Sequence, residues 1–145
     1  MEINIRALAE QCSDYIIERR RFYHACPELS EQEIETAKHL KADLEALGVE
    51  VQMCTSCHGL GGKPGKTVAL RSDTDALPVK EETGLPFAST NGAMHACGHD
   101  SHMAMLLGAA KLLTSIRDEL PGTVKLIFQP AEEVATGAKA MIAEG

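Results

Sequence analysis

Apolar residues recur at helical spacing from Ile5 to His24, where Ile5, Leu8, Ala9, Cys12, Tyr15 and Ile16 share a face. The spacing predicts a second helix from Ser30 to Leu47, with Ile34, Ala37, Leu40, Leu44 and Leu47 as its stripe. Ser30 and Glu33 read as a capping box at its start, and Gly48 as its stop. Cys26-Pro27-Glu28 separates the two helices, because the residue before a proline disfavours helix. Val49 to Met53 alternates as a half-exposed strand does. A turn-rich stretch from Gly59 to Gly65 leads into Thr67-Val68-Ala69-Leu70, a short apolar run with the character of a buried strand. It ends at Arg71-Ser72-Asp73-Thr74-Asp75.

Residues 78 to 94 carry Pro78, Gly84, Pro86 and Gly92 and read as a long loop. Ser101 to Leu113 is predicted as a helix, with Met105, Leu106, Ala109, Leu112 and Leu113 apolar. Pro121-Gly122 turns the chain into Thr123 to Phe128, the strongest strand pattern, and a final helix runs from about Thr136 to Ala143. Helices that alternate with apolar strands make the class α/β. The strands near Val49–Met53, Thr67–Leu70 and Thr123–Phe128 are expected in one sheet, flanked by the Ser30–Leu47 and Ser101–Leu113 helices.

The 145 residues fit one domain, and 44% hydrophobic content is enough for a core. A net charge of −7 argues against a nucleic-acid or anionic-membrane partner, since both need a basic face. No run approaches the roughly 18 apolar residues of a membrane span. Met1-Glu2-Ile3-Asn4 lacks the basic and then apolar order of a secretory signal, so the expected location is cytoplasmic. Five cysteines without such a signal argue against a disulfide framework. Cys54-Thr55-Ser56-Cys57, followed by His58, has redox, zinc or haem-attachment spacing, but no second pair exists to complete a zinc ribbon. The pair reads as incidental.

Three polar clusters fall after predicted strands or just before a helix: Asp73-Thr74-Asp75, His95 to Asp100, and Glu132-Glu133. Ligands of open α/β sheets bind outside the carboxyl ends of the strands. Cys97 and His99, two apart in a glycine-containing loop, could turn toward one ion; alternatively they are a small buried thiol and a surface imidazole. Of Glu132 and Glu133, one carboxylate could ligate a metal while the other acts on water. The alternative is a solvated acidic turn before a helix N-terminus. Asp73 and Asp75 orient a ligand or make an Asx turn. His24 is expected to pack against a helix end, and His102 to line the same pocket or cap its helix.

Taken together, Arg20 to Ser30 (RRFYHACPELS), Leu70 to Pro78 (LRSDTDALP), Gly92 to Asp100 (GAMHACGHD) and Gly122 to Glu133 (GTVKLIFQPAEE) closely resemble the M20 metallopeptidases. The match is to their amidohydrolase branch of aminoacylases, hippurate hydrolases and auxin-conjugate hydrolases. The segments occur in the family's order and cover most of the chain. The resemblance implies a zinc-peptidase-like α/β/α sandwich with a mixed sheet and a centre of two divalent ions (Zn, Mn, Co or Ni). It implies Cys97, His99 and Glu133 as metal ligands, Glu132 as general acid/base, and Asp75 as the aspartate that supports the site. Asp73 stands where other M20 branches carry a metal-binding His. The implied reaction is metal-dependent hydrolysis of an amide bond in a small N-acyl amino acid or peptide-like substrate, by metal-activated water. A homo-oligomer is left open.

Family members are much longer and carry a lid or dimerisation domain and further His ligands. Residues 1–145 are therefore expected to be the N-terminal part of the catalytic domain, truncated, with an exposed strand edge or apolar patch. The stretch from Cys54 to Gly65 also looks shorter than usual. The competing readings are a non-catalytic fragment with at most partial metal binding, and a thiol-redox protein using Cys54 and Cys57.

Overall fold

The computed structural model describes residues 3–53, 57–60 and 64–144. Their elements run α1 (Ile5–Gln11), α2 (Ser13–Ala25), α3 (Ile34–Ala46), β1 (Cys57–Leu60), β2 (Lys66–Asp73), α4 (His99–Ser115), β3 (Gly122–Gln129) and α5 (Gly137–Glu144), with a single 3-10 turn at Arg117–Glu119. The class is α/β, as the alternation of patterns predicts.

The three strands lie in the order β1-β3-β2. β2 runs parallel to β3, from Lys66 opposite Gly122 to Asp73 opposite Gln129, and β1 runs antiparallel to β3. The sheet is therefore mixed. A parallel pair needs a long crossover, which here contains the 78–94 loop and α4. Val124, Leu126 and Phe128 alternate along β3 and pack with Tyr23, Leu40, Leu44, Met103, Leu107 and Ala110 from α2, α3 and α4. Among the described residues β2 has a strand neighbour on one side only, and Lys66 to Ala69 are exposed.

The helical layer is tied by polar contacts as well. Asp43 of α3 accepts from Arg19 Nη1 at 3.0 Å and from the Tyr23 hydroxyl at 2.8 Å, both on α2. A buried network joins α2, α4 and the long loop: His24 Nδ1 lies 2.7 Å from Asp100 Oδ2 and Nε2 lies 2.9 Å from Glu81 Oε1. Arg20 Nε also reaches Asp100 Oδ2, at 2.9 Å. His24 thus packs at the N-terminal end of α4, as expected, but also edge-on against Phe87 of the loop, and both its nitrogens face carboxylates.

Four sequence expectations are corrected. The continuous Ile5–His24 helix breaks at Cys12, whose N–H bonds back only three residues, to Ala9 O. The Ser30–Glu33 capping box does not form, and α3 starts at Ile34 instead of Ser30. Glu28 caps α3 instead, its carboxylate accepting from Glu35 N (3.2 Å) and Thr36 N (2.7 Å). Val49–Met53 is not a strand: Val49 N bonds to Leu44 O in the helix C-terminus, and Val49 and Val51 alternate because they pack on the core. The strand on that side of β3 is β1, which takes in the first part of the stretch read as turn from Gly59. Residues 54–56 lie outside the described residues, as do the side chains of 57–60, so the Cys54–Cys57 pair and the length of the Cys54–Gly65 stretch do too.

Leu126 is fully buried at the centre of this core. Leu126→Ala should lower the unfolding free energy by about 2–5 kcal/mol, read from urea denaturation. Lys125→Ala, exposed one residue earlier, should stay within about 0.5 kcal/mol. Equal small effects would place β3 outside the core.

Glu81 makes a second prediction. Burial pushes its carboxyl up, but bonds from the Thr83 hydroxyl, His24 and the Ser89 N–H outweigh that and bring it down to about 2. The unfolded chain then binds the proton more tightly than the folded one, so this stabilisation is whole above about pH 4.3 and fades as the pH falls toward about 2. The stability gap between the wild type and Glu81→Gln should therefore close over that acid window in denaturation followed by circular dichroism. A constant gap would show that the Glu81 charge is not what holds the loop.

Candidate metal centre

The parallel register sets β2 and β3 level, so both strands deliver their carboxyl ends to one edge of the sheet. Past Asp73, the Thr74 N–H and hydroxyl both bond to Gln129 O, at 3.0 and 3.2 Å, which holds the two exits together. Asp75 follows on one side and the turn 130–136 on the other. The loop ending in Gly98 closes over them, with Gly98 in the left-handed region (φ +98) as the N-cap of α4.

Asp75 is 1% exposed. Its Oδ2 accepts from the Ser30 hydroxyl at 2.7 Å and from Glu133 N at 3.0 Å. Its Oδ1 lies 3.3 Å from His99 Nδ1, and its backbone carbonyl lies 2.9 Å from the same nitrogen. Burial raises the Asp75 pKa, but the Ser30 hydroxyl and the backbone N–H groups of Glu133 and Glu132 hold it below its ordinary value. One ionised carboxylate thus joins the end of β2, the start of α4 and the turn after β3.

Because a carbonyl can only accept, Nδ1 of His99 donates, and in the neutral ring Nε2 carries the lone pair. That lone pair faces Glu133 Oε1 at 3.8 Å and Glu132 Oε2 at 3.9 Å. Cys97 Sγ, a His99 nitrogen and a Glu133 oxygen lie within 4.8 Å of one another. Glu133 Oε1 is buried without a hydrogen-bond partner among the described residues. Two acceptors aimed at each other across 3.8 Å repel, whereas bonds of about 2.0–2.3 Å from nitrogen, oxygen and sulfur to one divalent ion span such gaps. The donor set therefore fits a metal ion, and a thiolate with an imidazole and a carboxylate suits zinc or its first-row neighbours.

The turn that carries the two glutamates is strained and clamped. Ala131 adopts φ +49 and is buried, and its N–H donates to Glu33 Oε1 at 2.7 Å. At Gly137 a Cβ would stand 1.7 Å from Pro130 O, so only glycine lets the chain fold back there. Burial raises the Glu33 carboxyl, and the Ala131 N–H opposes it. Sequence reasoning gave Glu33 and Ser30 to a capping box; each instead holds the site, Glu33 at Ala131 and Ser30 at Asp75. The sequence offered no other sign of either partner.

Asp73 closes β2 beside this pocket. Arg71 Nη2 pairs with its Oδ1, and Arg71 Nε donates to Gln129 Oε1 at 2.9 Å. Its Oδ2 faces His102 Nδ1 at 3.6 Å. His102, one turn along α4 from His99, therefore lines the pocket. The Cys97 thiol is exposed; the neighbouring Glu133 carboxylate, with burial and the charges of Glu132 and Asp73, pushes its pKa up. His95 is buried, and burial brings its imidazole down to about 4, so it is neutral at pH 7. The structure thus brings Asp75, Cys97, His99, Glu132 and Glu133 to one place.

Residues 69–145 match the model of peptidase family M20/M25/M40. The chain is 52% identical over 144 residues to thermostable carboxypeptidase 1 of Saccharolobus solfataricus, covering 93% of this chain and 37% of that protein. It is 43% identical over 148 residues to an N-acyl-L-amino acid amidohydrolase of Geobacillus stearothermophilus, covering 97% and 40%. Its fold matches the crystal structure of the Bacillus subtilis YXEP protein, described as a dinuclear metal binding peptidase from the M20 family, with a TM-score of 0.85 and 43% identity over 95% of this chain and 40% of that one. The chain thus spans 37–40% of the length of these relatives. With its α/β fold and these motifs in order, the chain belongs to peptidase family M20/M25/M40.

Proposed function

We propose that these residues form the N-terminal part of the catalytic domain of an amidohydrolase that cleaves an amide bond in a small N-acyl amino acid or peptide-like substrate. The observation that carries this reading is the His99 lone pair facing two neighbouring carboxylates, with a thiol in reach. Carboxypeptidase and amidohydrolase relatives, and a neighbour described as dinuclear, support it. Cys97, His99 and Glu133 would hold one divalent ion, and donors from beyond the described residues would complete a second position. Zinc, manganese, cobalt and nickel are the candidates. When bound, such ions polarise a carbonyl oxygen and lower the pKa of water.

The chain's own residues divide the remaining work. Asp75 holds His99 in the tautomer that leaves Nε2 free and fixes the Glu133 backbone. Glu132, with 41% of its side chain exposed, is the more accessible of the pair; Glu133 is 20% exposed. Glu132 takes the proton of the attacking water and returns it to the leaving amine.

Exchange of each glutamate tests this division in the complete enzyme. Glu132→Gln should keep its metal and lose about two to four orders of magnitude in turnover. Glu133→Gln should lose metal, and excess metal should restore part of its activity. Metal analysis with amidase kinetics decides the matter: metal lost from Glu132→Gln but kept in Glu133→Gln reverses the roles. Full activity in both removes the pair from the mechanism.

A further inference from the structure

Asp73, His99 and His102 form a second donor set, with one ligand atom from each within 4.8 Å of the others. It overlaps the first set only at His99. His99 and His102 sit three residues apart in the first turn of α4, so both rings project from one face. Their centroids are 5.3 Å apart and their planes tilt by 30°. Asp73 comes from the end of β2, and Arg71 engages its Oδ1. That leaves Oδ2 to face His102 Nδ1 at 3.6 Å, too far for a good hydrogen bond and within the span of two ligands on one ion.

The sharing has a strict consequence. His99 Nδ1 is committed to the Asp75 carbonyl, so His99 has one lone pair to give, at Nε2. The described residues can fill either set, not both at once. The two sets also differ in chemistry. Cys97, His99 and Glu133 include a thiolate and favour softer ions, whereas two imidazoles with one carboxylate suit harder first-row ions.

We propose that Asp73, His99 and His102 are an alternative divalent-cation site, which takes His99 from the Cys97–Glu133 set and binds nitrogen- and oxygen-preferring ions such as cobalt(II). The inference rests on the preceding reading for the direction of the His99 lone pair, and Cys97 separates the two. An ion there would sit beside His102, whose side chain is 43% exposed, and so closer to solvent.

Cobalt(II) binding to the 145-residue chain is the test, by equilibrium dialysis and by the thiolate-to-cobalt charge-transfer absorption. Wild type should bind about one ion per chain, because His99 is shared. Cys97→Ser should still bind about one ion, without the charge-transfer band, and His102→Ala in that background should weaken binding at least about tenfold. Asp73→Asn, a milder change, should weaken it in the same direction. If the wild type shows the band and Cys97→Ser binds no cobalt, the alternative site is overturned while the Cys97 site stands. If binding shows no band, ignores Cys97→Ser and is lost in His102→Ala, the alternative site stands and Cys97 is no ligand. A wild-type chain that binds no cobalt overturns both.

Discussion

Asp75 is the joint on which the site depends, because a carboxylate so nearly removed from water stays ionised only where hydrogen bonds offset its burial. Its partners come from three separate places in the chain: Ser30 ahead of α3, His99 at the start of α4 and Glu133 after β3. Loss of any one would leave charge with less to balance burial, so the three segments are held by a single shared cost. The arrangement also selects the His99 tautomer. A ring nitrogen that faces a carbonyl at 2.9 Å must donate, and that choice exposes the other lone pair to the pocket.

Glu33 plays the matching role one turn away. The chain must reverse after β3 to present two adjacent carboxylates, and it does so through a positive φ at Ala131, which a side chain resists. The buried bond from Ala131 N to Glu33, and the close approach of Gly137 to Pro130, over-determine that turn. Both buried acids, Asp75 and Glu33, thus accept from backbone N–H groups of this turn, those of Glu133 and Ala131, that would otherwise relax. The helical layer below supplies the rigid base, since Leu126 and Phe128 anchor β3 directly ahead of the turn.

What the sequence made legible were features whose cause is local or repetitive. β2, β3 and α4 carry periodicity over many residues, and the motif clusters sit at their ends, so topology alone brings Cys97, His99, Glu132 and Glu133 together. Features set by distant partners were not legible. Ser30 and Glu33 have the spacing of a capping box, yet each finds a stronger partner far away in sequence, and the first turn of α3 goes to Glu28. Val49 to Met53 has strand-like alternation, but Val49 closes α3 and buries itself, and alternation cannot distinguish pairing from packing. The role of His24 was hidden for the same reason. Asp100 and Glu81 are 76 and 57 residues away.

The electrostatics of the pocket complete the argument for a cation. Asp73, Asp75, Glu132 and Glu133 converge where Arg71 reaches only Asp73, and the Cys97 thiol is held protonated by the carboxylates around it. Left to themselves these groups repel, and a thiol in such company is a poor ligand. A divalent ion reverses both tendencies at once: it offsets the negative charge and favours the thiolate over the thiol, as a metal does to any coordinating sulfur. On the proposed ligand set, metal uptake would release the Cys97 proton, so binding would grow with pH until the thiol ionises unaided.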